Sequence, residues 1–392
     1  MSGQPTPGGE ATTARIPFNR AARAGTEQKN IDTAIEGGHL AADGPFTAVC
    51  SAMLGEQLGS AALLVHSCTA ALEIAAILAN VSPGDEVIMP SYTFVSTANA
   101  FVGRGATPVF VDVLEDTLNI DPDGIAAAIT TRTKAIVPVH YAGMSCEIDR
   151  ISDLAEEHDL FLVEDAAQGL LSTSKGRPLG TMGQLGAISF HETKNVTCGE
   201  GGVLVVNDRD LLERAEIIRE KGTDRSRFFR GQTDKYTWVD IGSSYALSDL
   251  GAAFLKAQLD AAERLTQRRL AIWNRYHAAF ADLEREGALR RPSIPADCTH
   301  NAHMYYLLLA DERQRDKLIA HLGEHGIGAV FHYVPLHSSP AGRRYGRTAG
   351  SLAVTESASA RLVRLPLWAE MGETEVERVI ASARDFLARN GV

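Results

Sequence analysis

The sequence has no C-x-x-C pair, and its five cysteines (Cys50, Cys68, Cys146, Cys198 and Cys298) are odd in number and far apart. That pattern excludes a zinc ribbon and a disulfide framework; no metal site is expected, and a reducing cytoplasm fits best. No run approaches the roughly 18 uninterrupted apolar residues of a membrane helix. A basic excess is missing too. The formal net charge of -11 argues against a general nucleic-acid binder and against a polybasic membrane anchor. No internal repeat is visible. No G-x-G-x-x-G follows the first apolar run, which removes the dinucleotide-binding fingerprint. Residues 1–15, rich in Gly, Pro, Thr and Ala, lack a signal-peptide core and read as a disordered tail.

What is present is a long alternation. Apolar runs at Ala62–Val65, Glu86–Met89, Thr107–Val111, Ala135–Val139 and Leu160–Val163 alternate with helix-like stretches at Thr69–Asn80, Phe94–Arg104, Asp123–Ile129 and Ile148–His158. Two further apolar runs, Leu185–Phe190 and Val203–Val206, flank a glycine-rich loop. This is the pattern of an α/β fold, a mostly parallel sheet covered on both faces. A large domain over residues 16–260 and a smaller one over 261–392 are expected. A long helical region from Ser248 to about Glu286 links them. Past it, strands are expected at His303–Leu309 and Ala329–Val334, with helices from Asp311 and over Glu373–Arg389.

Parallel sheets bind ligands at the carboxyl ends of their strands, so the residues there matter most. They are Ser67-Cys68-Thr69, Tyr92-Thr93-Phe94, Asp165 with Gln168, and Ser189 with Lys194. A lysine shielded between two buried strands loses part of its preference for the charged form and becomes a nucleophile toward an aldehyde. A Schiff-base lysine with an acidic partner for a pyridinium nitrogen is the minimum pyridoxal-phosphate (PLP) site. Lys194 and Asp165 fit those two roles. Gln168 is placed for the ring hydroxyl, Phe94 for the ring face, and Cys68, Thr69 and Ser189 for the phosphate at a helix N-terminus. Singly, each has an ordinary structural reading as a cap, a core side chain or a solvated charge. Agreement among four strand ends outweighs those readings.

The stretches Glu164–Gln168, Ser189–Asn195, Pro90–Thr97 and Val137–Gly143 resemble the DegT/StrS family of sugar-nucleotide aminotransferases, in family order and over nearly the whole chain. The resemblance implies the aspartate-aminotransferase type of fold, PLP, L-glutamate as amino donor and a homodimer with sites at the subunit interface. Phe18-Asn19, Ser67–Ala70, Phe228–Gln232, Asp234–Trp238, Ile241–Tyr245, Asn301–Met304 and Phe331–His337 are most similar to members that aminate carbon four of a dTDP-linked 4-keto-6-deoxyhexose. The implied product is the galacto epimer. The alternatives are the gluco epimer, a 3-keto sugar nucleotide, or a sensor without catalysis. Relatives that dehydrate sugars carry histidine in place of the lysine, which Lys194 opposes. Arg230, Tyr236, His332, Tyr333 and His337 are candidates for the nucleotide sugar. Some relatives also send an Asn from the partner subunit to the phosphate. Ala246 stands there, which leaves Ser243, Ser244 or Tyr245 for that task.

Overall fold

The computed structural model describes residues 14–390; the expected tail lies outside the described residues as far as residue 13. Two helices, α1 (Glu27–Gly37) and α2 (Pro45–Leu58), precede the alternating core. That core runs β1 (Ala61–Val65), α3 (Cys68–Leu78), β2 (Glu86–Pro90), α4 (Val95–Val102), β3 (Thr107–Val111), α5 (Pro122–Ala128), β4 (Thr133–Ile136), α6 (Ile148–Glu157) and β5 (Phe161–Asp165). A two-residue pair, β6 (Thr173–Ser174) and β7 (Arg177–Pro178), leads to β8 (Leu185–Ser189) and β9 (Gly202–Val206). Helices α7 (Leu212–Arg219), α8 (Arg225–Phe229), α9 (Asp249–Asp260), α10 (Ala262–Ala279) and α11 (Ala281–Arg285) follow. The remainder is β10 (Cys298–Thr299), β11 (Tyr305–Leu308), α12 (Glu312–Glu324), α13 (Pro340–Tyr345), β12 (Arg347–Thr348), α14 (Ala353–Arg361), β13 (Leu362–Leu365) and α15 (Glu373–Asn390).

The main sheet has the order β1-β9-β8-β5-β4-β2-β3-β12. All its strands share one direction except β9, which pairs antiparallel with both β1 and β8. Its central strands are buried along their length, as uninterrupted Val, Ile and Leu runs require. Helix α3 is apolar on every side and is buried from Ala70 to Leu78 apart from Glu73, whereas α6 buries only the Ile148, Ile151 and Ala155 stripe.

A second core gathers Trp273 and Tyr276 of α10, Phe280 just past its end, Tyr305 and Leu307 of β11, Val363 and Leu365 of β13, and the inner faces of α12 and α15. The expected boundary after residue 260 falls at the α9–α10 junction, while β12 returns to the edge of the main sheet beside β3. The expected helical region from Ser248 to Glu286 is present as three successive helices, with breaks at Ala261 and Phe280. One expectation needs correcting. Ala329–Val334 is not a strand. It contributes a single bridge, Val330 to Arg364, and Tyr333 turns into the left-handed region at φ 48°; β13 takes the place beside β11.

Successive side chains of β5 point to opposite faces. Asp165 faces the ligand rim; Glu164 faces inward and organises the far side. The Glu164 carboxylate accepts from His140 Nε2 (2.8 Å) and from the N–H groups of Gly180 (3.0 Å), Met182 (2.5 Å) and Gly183 (2.7 Å). His140 Nδ1 accepts from Cys146 N–H (3.2 Å), which leaves the ring proton on Nε2, aimed at the carboxylate. Glu164→Ala would orphan these buried donors and is expected to lower stability by about 3–5 kcal/mol. Urea unfolding of variant and wild type reads this directly, and a difference under about 1 kcal/mol would contradict it.

Candidate active site

Strand β8 ends at Ser189, and the chain returns as β9 after a loop pinned by its own backbone. Phe190 N–H donates to Gly201 O, Glu192 N–H to Gly199 O, Lys194 N–H to His191 O and Cys198 N–H to Phe190 O, all at 2.8–2.9 Å. Gly202 lets β9 approach the start of α3, since a Cβ there would lie 2.6 Å from Cys68 N. Asn195, beside the lysine, donates to Asn301 O (2.8 Å) and meets His303 Nδ1 at 3.2 Å through its Oδ1. Asn301 in turn donates to the carbonyls of Gln168 (2.7 Å) and Leu170 (2.8 Å). The loop that carries Lys194 is therefore fixed from both cores.

The Lys194 side chain enters a cavity of about 550 Å³. Among the described residues its amine has no hydrogen-bond or ion-pair partner. Burial pulls its pKa below the ordinary lysine value, against the opposing pull of Cys68 and Asp165. Asp165 lines the same cavity. Its Oδ2 accepts from Thr97 Oγ1 (2.7 Å) and its Oδ1 from Ala167 N–H (3.1 Å). Burial raises its pKa above the usual carboxylate value, while Thr97, Ala167 and Lys194 pull the other way.

Cys68 and Thr69 open α3 on this cavity, behind Ser67, whose hydroxyl caps the helix by accepting from Ala70 N–H (3.1 Å). The first N–H groups of a helix have no partner in the preceding turn. Ser189 and Phe94 also line the cavity, and Phe94 is 56% exposed at the start of α4, open enough to face a ligand. Gln168 lines it with its amide engaged at both ends: Oε1 accepts from Ala142 N–H (2.7 Å) and Nε2 donates to Tyr333 Oη (3.2 Å). His332 and Tyr333 complete this wall, their rings stacked 3.6 Å apart, with His332 Nδ1 at 2.7 Å from Tyr141 Oη. Burial pulls the His332 pKa well below the ordinary imidazole value, so the ring is neutral.

Three predicted residues stand elsewhere. Arg230 pairs with Glu216 (2.7 Å) on the outer loop, and Tyr236 is exposed beside Phe228. His337 is held between Ser91 Oγ (2.8 Å) and Glu356 (3.2 Å). Ala246 bridges Val65, and His66 N–H donates to Tyr245 O (2.8 Å), so this segment runs along the end of β1. Sequence reasoning passed over Thr97, Asn195, Arg269, His303 and Arg364, all of them in or against the cavity. The available signal was weak. Arg364 was the clearest, a cation inside the apolar run Leu362–Leu367.

A model of the DegT/DnrJ/EryC1/StrS aminotransferase family matches residues 22–384. The chain belongs to this family. The spore coat polysaccharide biosynthesis protein SpsC of Bacillus subtilis is 36% identical over 83% of this chain and 85% of its own. The aminotransferase TlmJ from Streptoalloteichus hindustanus superposes with a TM-score of 0.88 at 33% identity, covering 96% of this chain and 100% of that one. Spr1654 from Streptococcus pneumoniae, described as a candidate sugar aminotransferase and solved in a PLP form, gives 0.88 at 26% identity over 96% and 99%. This protein is accordingly a PLP-dependent sugar aminotransferase. Its residues fit that cofactor: an aldehyde requires an unpaired amine, a pyridinium an anion, and a phosphate a helix N-terminus, and Lys194, Asp165 and α3 present these to one cavity.

Proposed function

We propose that the enzyme moves the amino group of L-glutamate to carbon four of dTDP-4-keto-6-deoxy-D-glucose, giving 2-oxoglutarate and dTDP-4-amino-4,6-dideoxy-D-galactose. The unpartnered, shielded amine of Lys194 in one cavity with Asp165 carries the transaminase chemistry; the particular sugar and donor rest on sequence resemblance. When bound, PLP supplies a carbonyl that carries the nitrogen and a ring that takes up electrons when a neighbouring carbon loses its proton. Lys194 would hold the cofactor through its amine and, as a free amine, would move the proton at the reacting carbon as general base and then acid. Its lowered pKa raises the fraction of free amine near neutral pH. Asp165, oriented by Thr97 and Ala167, keeps the ring nitrogen protonated. Cys68, Thr69 and Ser189 would receive the phosphate, and Phe94 would cover the ring. Gln168, already engaged at both ends, sets Tyr333 in the wall where the sugar enters.

Arg230 and Tyr236 reach a nucleotide in this reading only across a homodimer. The exposed aromatics Phe229 (68%) and Trp238 (79%) on the same loop support such an interface. We assign His337 to holding the end of β2 through Ser91 instead of touching substrate. The five cysteines are all free thiols, which supports a cytoplasmic location.

Incubation with PLP, L-glutamate and the keto sugar, followed by mass spectrometry and NMR, is expected to give a sugar with an axial amine at carbon four. An equatorial amine moves the assignment to the gluco epimer. If glutamate bleaches the visible band of the bound cofactor and no 4-amino sugar forms, the substrate is a 3-keto sugar nucleotide.

A further inference from the structure

His303 lines the cavity that holds Lys194 and Asp165, yet no step of the proposed reaction uses it. It stands just before β11 and just past Ala302, an alanine in the left-handed region at φ 52°. Its neighbours fix which ring nitrogen carries the proton. Asn301 O can only accept, so the end of the Asn195 amide that meets it at 2.8 Å is Nδ2. The other end, Oδ1, lies 3.2 Å from His303 Nδ1 and can itself only accept. Nδ1 therefore bears the hydrogen. Burial, helped by the nearby cations Lys194, Arg269 and Arg364, holds the His303 pKa well below the ordinary imidazole value. The ring is neutral, and Nε2 carries a bare lone pair.

His140 shows what a structural histidine looks like here. Its Nε2 donates to Glu164 (2.8 Å) and its Nδ1 accepts from Cys146 N–H (3.2 Å), so both nitrogens are used within the chain. His303 Nε2 has no partner among the described residues, and it is not sealed off from the cavity. An enclosed acceptor with nothing donating to it is costly. Neighbouring donors are spoken for. Arg269 gives its guanidinium to the carbonyls of Ala302 (3.1 Å), Leu367 (3.2 Å) and His303 (2.6 Å), and the Gln168 amide donates to Tyr333 (3.2 Å). Lys194 and Arg364 act on the ring through their charge without bonding to it. His303 therefore lacks a hydrogen-bond donor that the chain itself does not provide.

The reactants supply one, on the reading that a 4-keto sugar nucleotide is aminated, on which this inference rests. L-Glutamate offers carboxylates, which only accept, and the amine that is transferred. The keto sugar offers hydroxyls at carbons two and three. Lys194 works at carbon four. His303 is held by Asn195, the residue after Lys194, and lies near enough for the lysine charge to disfavour its protonation. Of the two ring carbons beside carbon four, carbon five carries the methyl group and carbon three carries a hydroxyl. The hydroxyl on carbon two is one bond further from the reacting centre. We propose that His303 Nε2 accepts a hydrogen bond from the hydroxyl on carbon three of the keto sugar, and so selects sugars that carry it.

The PLP-loaded enzyme, first aminated by glutamate, can be mixed in a stopped flow with dTDP-4-keto-6-deoxyglucose or with its 3-deoxy analogue. Wild type should transfer nitrogen to the analogue about 10- to 100-fold less efficiently, the effect of leaving one enclosed acceptor unpaired. His303→Phe keeps a flat ring without nitrogens. It should lose efficiency with the hydroxylated sugar and treat the two sugars alike within a few-fold. His303→Gln returns an acceptor oxygen at similar reach and should recover part of the preference. Because each preference is a ratio measured within one variant, a change in the fraction of folded enzyme cancels. The glutamate half-reaction should stay within a few-fold of wild type in both variants. Wild-type enzyme with no preference between the sugars would overturn the proposal, as would a His303→Phe variant that keeps it. A loss confined to the glutamate half-reaction would make His303 a partner of Lys194 and overturn it equally. Wild-type enzyme that aminates a different keto sugar nucleotide would correct only the sugar; the analogue lacking the hydroxyl beside that carbonyl then decides the role of His303. Wild-type enzyme that aminates no keto sugar nucleotide would bring down the functional reading and this proposal together.

Discussion

Lys194→Ala is expected to lower turnover by at least about 10⁴-fold, the upper range of what a positioned acid-base group contributes. The side chain has two tasks in the proposed reaction, holding the cofactor and moving the proton, and nothing nearby replaces it. Asp165 is a buried anion engaged by Thr97 and Ala167, and His303 and His332 are held neutral by burial. His191 is turned to Thr193, with Nδ1 at 2.9 Å from Oγ1. The fold should survive, because the Lys194 amine makes no hydrogen bond that alanine would break and the loop is held by backbone bonds and by Asn195. Added methylamine should restore part of the rate by acting as a free base in the vacated space. Single-turnover assays with and without the amine test this. Near-normal turnover in the variant would remove Lys194 from the chemistry.

Asp165→Asn should cost about 10³-fold in turnover, in line with the removal of one electrostatic contact aimed at developing charge. Asparagine keeps the shape but not the charge, so it would no longer hold a proton on the ring nitrogen of the bound cofactor, which would then accept electrons poorly. The pH profile separates this from a packing defect. Burial raises the pKa of Asp165, so the wild-type acid limb should begin above the pH at which an ordinary carboxylate titrates. As pH falls through that raised value the carboxylate is neutralised and activity is lost. In Asp165→Asn this limb should vanish, leaving a low, flat profile. A variant that keeps the acid limb would show that another group sets it.

The legible part of the fold was the part dictated by local composition. Apolar runs of four to six residues flanked by turn formers became β1, β2, β3, β5, β8 and β9, because strands buried on both faces favour uninterrupted apolar stretches. Residues just past those runs, from Cys68 to Lys194, meet in the cavity because parallel strands bring their carboxyl ends to one rim. Contributions from the second core were not legible. Asn301, His303 and Arg364 reach the site through pairing between β11 and β13, a choice made by packing. The misread segment Ala329–Val334 has the apolar residues of a strand, but Tyr333 at positive φ and His332 bonded to Tyr141 draw it toward the cavity. Arg230 and His337 stood out because charge and imidazole are informative by type; where the chain places them, Arg230 pairs with Glu216 outside the cavity and His337 meets Ser91 and Glu356.

The reversed strand β9 sets a limit on when during synthesis this chain can become an enzyme. Ala61 pairs with Val206, so the first strand of the sheet finds its neighbour only after most of the large core has been made. Contacts of such wide sequence separation put folding in the slow regime. Until β9 arrives, β1 and β8 both present open edges made of valine, leucine and isoleucine, the kind of edge that joins other chains. The same event closes the loop around Lys194. A nascent chain halted before Val206 therefore has no shielded lysine, and a ribosome-stalling series across that point should show aggregation giving way to a soluble, PLP-reactive species only once the segments through Arg364 have also emerged.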